Sequence, residues 1–188
     1  MLFEPDVPTG FAYREQFITP EEEAALVRHV AAVEFEAFEM RGVVAKRRVA
    51  FFGQSYNEGP ARPMPDFLLP LRARAAAWAG VKDDDFAMAL INEYRPGAPI
   101  GWHRDAPQYE RVAGVSLLAA CRMKFRPYVA PRAVELRAKP RRRKATHQIV
   151  LAPRSGYLIT EQARREYEHS IPAVELFRYS ITFRTLRA

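Results

Sequence analysis

Cysteine is almost missing from this 188-residue chain. Cys121 stands alone, so no intrachain disulfide can form, and a reducing compartment is expected. No apolar run approaches the roughly 20 residues that a membrane helix needs, so no membrane partner is expected. The opening MLFEPDVPTG lacks the basic-then-apolar pattern of a secretory leader, which agrees with a cytoplasmic location. Histidine is scarce as well: His29, His103, His147 and His169 are the full set, so any imidazole chemistry has few combinations to draw on. Acids are outnumbered, 22 Asp and Glu against 29 Lys and Arg, for a net charge of +7. The excess is concentrated between Cys121 and Lys144, where ten basic residues face one acid, Glu135. A patch of that kind suits a polyanion, because contacts to phosphates release counterions. A face kept basic for solubility would have the same composition.

What is present reads as helices followed by strands. Thr19-Pro20-Glu21-Glu22-Glu23 opens a helix: threonine caps, proline suits the first position, and acids suit the positive end of the dipole. This helix runs to about Val33 and carries His29 as a surface or packing residue. Val43 to Phe52 reads as a strand bearing Lys46, Arg47 and Arg48, followed by a loop through Tyr56 to Pro60. Pro65 to Gly80 is a second helix, with Phe67, Leu68, Leu71, Ala75 and Trp78 at helical spacing.

After Asp85 the period changes to alternation. Phe86, Met88, Leu90, Asn92 and Tyr94 are expected on one strand face, and a further strand from Val112 carries Val115, Leu117, Ala119, Cys121, Met123 and Phe125 on one side. Val134 to Leu151 reads as a hairpin tipped by Lys139 to Lys144, and Tyr157 to Thr160 as a strand. In the last strand, Arg178 to Thr185, one face is Arg178, Ser180, Thr182 and Arg184, and the other is Tyr179, Ile181 and Phe183. An edge strand with a wet face would look alike. In a small barrel, the polar face turns inward onto a bound anion, with Asn92 and Tyr94 joining it. Two inward arginines call for an acidic ligand, because a buried unpaired guanidinium is costly and arginine grips carboxylates in bidentate fashion.

His103 and Asp105 are two apart, so on an extended segment they point the same way. With a second histidine, His169 being the candidate, they make a facial triad for divalent iron with open positions. Metal and anion together suit a 2-oxoglutarate-dependent iron dioxygenase.

Several motifs occur in the order of one family: Asn92-Glu93-Tyr94 with Gly97 and Ile100, then His103-Arg104-Asp105 and Ser116-Leu117. Arg154-Ser155-Gly156-Tyr157, His169 and Arg178-Tyr179-Ser180-Ile181-Thr182-Phe183-Arg184 follow. In these the chain resembles the AlkB family of Fe(II)/2-oxoglutarate-dependent dioxygenases from about Phe35 to its end. The resemblance implies a mainly β (α+β) fold, a double-stranded β-helix or jelly roll with N-terminal helices packed outside. It implies a single domain over 1–188, with helices and a substrate-side hairpin in 1–85 and the catalytic core in 86–188.

It also implies that His103, Asp105 and His169 hold Fe(II). Arg178 takes the distal carboxylate of 2-oxoglutarate with Tyr94; Arg184 and Asn92 serve the other end, and Ser180 and Thr182 also belong to the cosubstrate site. O2 is consumed, succinate and CO2 form, and an N-alkyl group on a nucleic-acid base is hydroxylated and lost as formaldehyde. The expected partner is single-stranded or flipped-base nucleic acid, met by Lys46, Arg47, Arg48, Arg141, Arg142 and Arg143 with Tyr56 and Trp102 among the stacking aromatics. Phe38 and Phe51 join those aromatics, and a monomer is expected. One stretch departs from the family: repair members follow the metal aspartate with further acids, whereas Asp105 is followed by Ala106-Pro107-Gln108-Tyr109. The alternative is the same iron chemistry on a protein or small molecule.

Overall fold

The computed structural model describes residues 7–40, 42–54, 62–130 and 145–187. Tyr56, Arg141, Arg142, Arg143 and the tip of the expected basic hairpin lie outside them. Strand β1 (Phe11–Arg14) precedes helix α1 (Pro20–Ala31), whose start follows the sequence logic. Thr19 Oγ1 accepts from the Glu22 backbone N–H at 3.2 Å while Glu22 Oε2 accepts from the Thr19 N–H at 2.8 Å, a reciprocal capping box. β2 (Glu36–Met40) and β3 (Val43–Gly53) form a hairpin; a 3-10 turn (Asp66–Leu68) leads into α2 (Leu69–Ala79), which ends on left-handed Gly80.

From β4 (Met88–Tyr94) onward the chain alternates between two antiparallel sheets. β4, β6 (Tyr109–Leu117), β9 (Gly156–Ile159) and β11 (Arg178–Leu186) enter the large sheet, whose order is β1-β9-β6-β11-β4-β3-β2. β5 (Ile100–His103), β7 (Cys121–Pro127), β8 (His147–Leu151) and β10 (Tyr167–Ile171) form the small one, ordered β5-β10-β7-β8. This alternation makes the expected jelly roll. A five-residue helix, α3 (Glu161–Arg165), joins β9 to β10.

The large sheet buries both faces, in two different cores. Ile91, Ala113, Val115, Leu158, Ile181 and Phe183 face the helices and pack on Leu26, Val30, Leu71 and Ala75. Tyr94, Val112, Tyr157 and Ile159 face the small sheet, meeting Met123, Phe125, Leu151 and Ile171. β11 is therefore an interior strand between β6 and β4, and its polar face is the inner one.

Two expectations need correction. The strand from Val112 is two strands in different sheets, broken at Leu118, whose φ of 72° turns the chain over. Phe86 belongs to the helix-side core beside Phe183, with ring centroids 5.9 Å apart, because the chain turns at Asp83–Ala87 before β4 begins.

Candidate active site

The site lies between the sheets. His103 ends β5 and His169 sits opposite it in β10 as its antiparallel partner, so hydrogen-bonded register, not chance proximity, brings two residues 66 positions apart together. Their ring centroids are 4.3 Å apart. Asp105 follows two residues after His103, and its Oδ2 lies 3.8 Å from His169 Nε2. One ligand atom from each of the three falls within 4.8 Å of the others. His103 Nδ1 lies 2.9 Å from the Gly101 carbonyl, a contact that a protonated Nδ1 makes, leaving Nε2 for a metal.

Electrostatics prepares this trio for a cation. Burial pushes His169 down to about 3, helped by His103, and burial likewise lowers His103 against the pull of Asp105. Both imidazoles are thus neutral at neutral pH and need no deprotonation to bind a metal. Burial works to raise the Asp105 carboxyl, but Arg184, His169, His103 and Arg164 outweigh it and hold it well below the usual range. Arg184 donates to Asp105 Oδ1 from Nε and Nη2, both at 2.7 Å, and from Nη1 to Thr182 Oγ1 at 2.9 Å. Thr182 in turn donates to the Leu90 carbonyl at 3.2 Å.

Arg178 is at the other end of the same strand face and is 0% exposed. Its Nη2 donates to Ser116 Oγ at 3.0 Å, and its guanidinium lies 4.8 Å from the Tyr94 ring centroid. Nε and Nη1 are sealed from water and have no partner among the described residues. Buried donors are rarely left so, and an arginine fork missing its acceptor is shaped for a carboxylate. Ser180, on β11 between the two arginines, is the register partner of Asn92 on β4, and Asn92 Nδ2 donates to Ser180 Oγ at 3.4 Å. The donor set of two imidazoles and a carboxylate suits a facial iron site, and the orphaned guanidinium suits a dicarboxylate; the residues fit both groups.

Three site residues escaped the sequence reading of roles. Arg164, on α3, donates from Nη2 to the carbonyls of Ala106 and Tyr109 at 2.5 and 2.8 Å, fixing the loop that carries Asp105. Tyr157 packs its buried ring over Gly114, where even a Cβ would lie 2.1 Å from the ring. Met88 Sδ lies 3.6 Å from Arg184 Nη1. Only Tyr157 had a signal, its place in the Arg154–Tyr157 motif.

The expected substrate-side residues divide. Arg47 is 9% exposed and faces inward, whereas Arg48, one residue on, takes the opposite face and clamps Glu93 with two 2.8 Å hydrogen bonds. Lys46 is exposed. Strand alternation thus splits what was read as one basic surface. Trp102 alternates with His103 on β5, and its ring lies 4.3 Å from the Arg126 guanidinium. Phe38 and Phe51 do come together, with centroids 6.5 Å apart on the β2–β3 hairpin.

Comparison with known proteins agrees with this geometry. Residues 48–184 match the model of the 2OG-Fe(II) oxygenase superfamily. No curated protein matches the chain in sequence. Among solved structures the chain is similar to OsALKBH1 at 10% identity and TM-score 0.67, over 95% of this chain and 99% of that one. It is similar to a prolyl-4-hydroxylase from Pseudomonas putida at 13% identity and TM-score 0.59, over 95% and 94%. It is also similar to a 2OG-Fe(II) oxygenase family oxidoreductase from Burkholderia pseudomallei at 17% identity and TM-score 0.63, over 95% and 86%. At these identities the likeness is one of fold.

Proposed function

The chain belongs to the 2OG-Fe(II) oxygenase superfamily and is an Fe(II)- and 2-oxoglutarate-dependent dioxygenase; from that premise we propose that it is an AlkB-like oxidative demethylase of N-alkylated nucleic-acid bases. Iron with 2-oxoglutarate and O2 supplies the power to hydroxylate a C–H bond, the cosubstrate leaving as succinate and CO2. An N-methyl group hydroxylated in this way departs as formaldehyde and returns the N–H.

The residues divide this work. His103, Asp105 and His169 would hold the metal, as neutral imidazoles and an ionised carboxylate that need no change of protonation. Arg184 keeps the Asp105 carboxylate ionised and in one orientation, and would serve the metal-proximal end of the cosubstrate with Asn92, Ser180 and Thr182. Arg178, stacked on Tyr94 and tied to Ser116, would take the distal carboxylate on its two unpartnered nitrogens. The apolar inter-sheet core keeps bulk water away.

The observation that carries the nucleic-acid reading is the hairpin. β2 and β3 extend the large sheet past β4 and bring Phe38, Phe51 and Arg47 together as flat groups at its inner side, with Arg47 4.4 Å from the Phe38 centroid. Flat apolar rings beside a cation are what a splayed base stacks on, and the net charge of +7 suits its backbone. Incubation with Fe(II), 2-oxoglutarate and methylated single-stranded oligonucleotides should release formaldehyde in step with succinate. Asp105→Asn should abolish both. Succinate without formaldehyde on every oligonucleotide, with oxidation of a peptide or small molecule instead, would favour the same chemistry on another substrate.

A further inference from the structure

Arg47 is the one member of the basic Lys46-Arg47-Arg48 block that enters the interior, and its environment is specific. Its Nε donates to Asn92 Oδ1 at 3.1 Å, its plane rests on the Phe38 ring, and among the described residues its two terminal nitrogens have no partner. It is close enough to His103, Tyr94 and Arg184 to act on each electrostatically. The space between the sheets therefore holds four guanidinium groups, Arg47, Arg164, Arg178 and Arg184, around one carboxylate, Asp105. A divalent metal and a dicarboxylate cosubstrate cancel one another, so this excess of three positive charges persists in the loaded site. No acid from the next three residues, Ala106, Pro107 and Gln108, offsets it, and Glu110 is paired with Arg165.

A base methylated at N1 of adenine or N3 of cytosine is a fixed cation that presents an amino group. One methylated at N1 of guanine or N3 of thymine is neutral; each carries a carbonyl oxygen beside the methylated nitrogen, as 3-methylcytosine also does, so charge is what separates the two pairs. A buried arginine repels the fixed charge of the first pair, whereas on the second it donates to a carbonyl oxygen without that cost.

Resting on the nucleic-acid reading above, we propose that Arg47 is the specificity-determining residue of this site and selects neutral methylated bases over cationic ones. Asn92 Oδ1 and Phe38 hold the fork so that its remaining nitrogens meet the base oxygen, and Asn92 thereby links the substrate side to the cosubstrate side through Ser180.

The test uses four single-stranded oligonucleotides that differ only in one base: 1-methylguanine, 3-methylthymine, 1-methyladenine or 3-methylcytosine. Demethylation rates are measured with the loaded enzyme, and binding of the same four by fluorescence anisotropy with the metal-free protein. The neutral pair should be favoured by about tenfold in both readouts. Arg47→Gln should erase the preference and raise the absolute rate on 3-methylcytosine, a gain that misfolding cannot produce. Arg47→Lys, which keeps the charge without the planar fork, should weaken the preference without reversing it. Preference of the unmodified enzyme for the cationic pair would overturn the assignment while leaving the demethylase reading standing. So would an Arg47→Gln enzyme that merely needs more 2-oxoglutarate on all four, since Arg47 would then serve the cosubstrate. Absence of demethylation on all four would overturn both.

Discussion

Arg178 carries a charge into a place where the protein offers it one hydroxyl and the face of a tyrosine ring. A sealed guanidinium with two nitrogens unpartnered among the described residues opposes folding, so its presence is explained by a ligand rather than by stability. Arg178→Met keeps the volume and removes the charge. The ligand-free variant should melt at the same temperature as the parent or higher, measured by calorimetry. Addition of 2-oxoglutarate with a divalent metal should separate the two proteins. At a hundredfold excess over its dissociation constant, a ligand stabilises by about 2.7 kcal/mol, roughly 5–10 °C for a chain this size, and the variant should lose that shift. A variant that melts lower without ligand, or still responds to it, would mean that the anion binds elsewhere. This residue was legible in the sequence because alternation along Arg178–Thr185 put Arg178, Ser180, Thr182 and Arg184 on one face, and polar residues facing a core need a reason. Arg47 was not distinguishable from Lys46 and Arg48. Composition is blind to parity, and which of three successive cations turns inward is fixed only when Val49 pairs with Asn92 across β3 and β4.

Elements were read well where a period was long and poorly where the chain changes direction without changing period. The two main helices and the strands at 88–94 and 178–186 followed from their patterns. β1, β2 and α3 are four or five residues long, too short for any pattern to show. β6 and β7 ran together because Val115, Leu117, Cys121 and Met123 keep one phase across the corner, and alternation records a face, not which sheet owns it. The corner is held by α1. Glu23 Oε1 accepts the Leu118 backbone N–H at 2.8 Å, and Glu23 Oε2 accepts from Arg154 at 3.1 Å. An acid placed for the helix dipole thus also fixes the point where the chain leaves one sheet for the other. Glu23→Ala removes both contacts and leaves a left-handed Leu118 without its anchor, which should cost about 1.5–3 kcal/mol. That is roughly 3–12 °C in melting temperature at this chain length. Glu23→Gln keeps an acceptor for Leu118 and loses the charge for Arg154, so it should fall between the two. Equal melting of all three proteins would show that the corner holds itself.

For the molecule as a whole, the distribution of charge matters more than its sum. Many acids are already spent within the fold: Glu22 on Arg74, Glu23 on Arg154, Glu36 on Arg62, Glu93 on Arg48 and Glu168 on Arg126. The cations left over produce the net +7, and on β7 they alternate outward as Arg122 and Lys124 while Phe125 packs towards His169 on the inner side. If this surplus grips a phosphate backbone, affinity for an unmethylated single strand should fall with salt at a logarithmic slope of about −0.7 per phosphate contacted. Replacing Arg141, Arg142 and Arg143 by alanine, residues outside the described structure, should then flatten the slope by about two. Replacing Arg122 and Lys124 by glutamine asks the same of the outer face of the small sheet. A backbone that crosses this face to reach the triad loses affinity in both sets of variants, with the preference among methylated bases unchanged, because that preference is decided by Arg47 inside. Identical salt slopes in parent and variants would make both basic stretches solvated surface, and would leave binding to the hairpin and the interior alone.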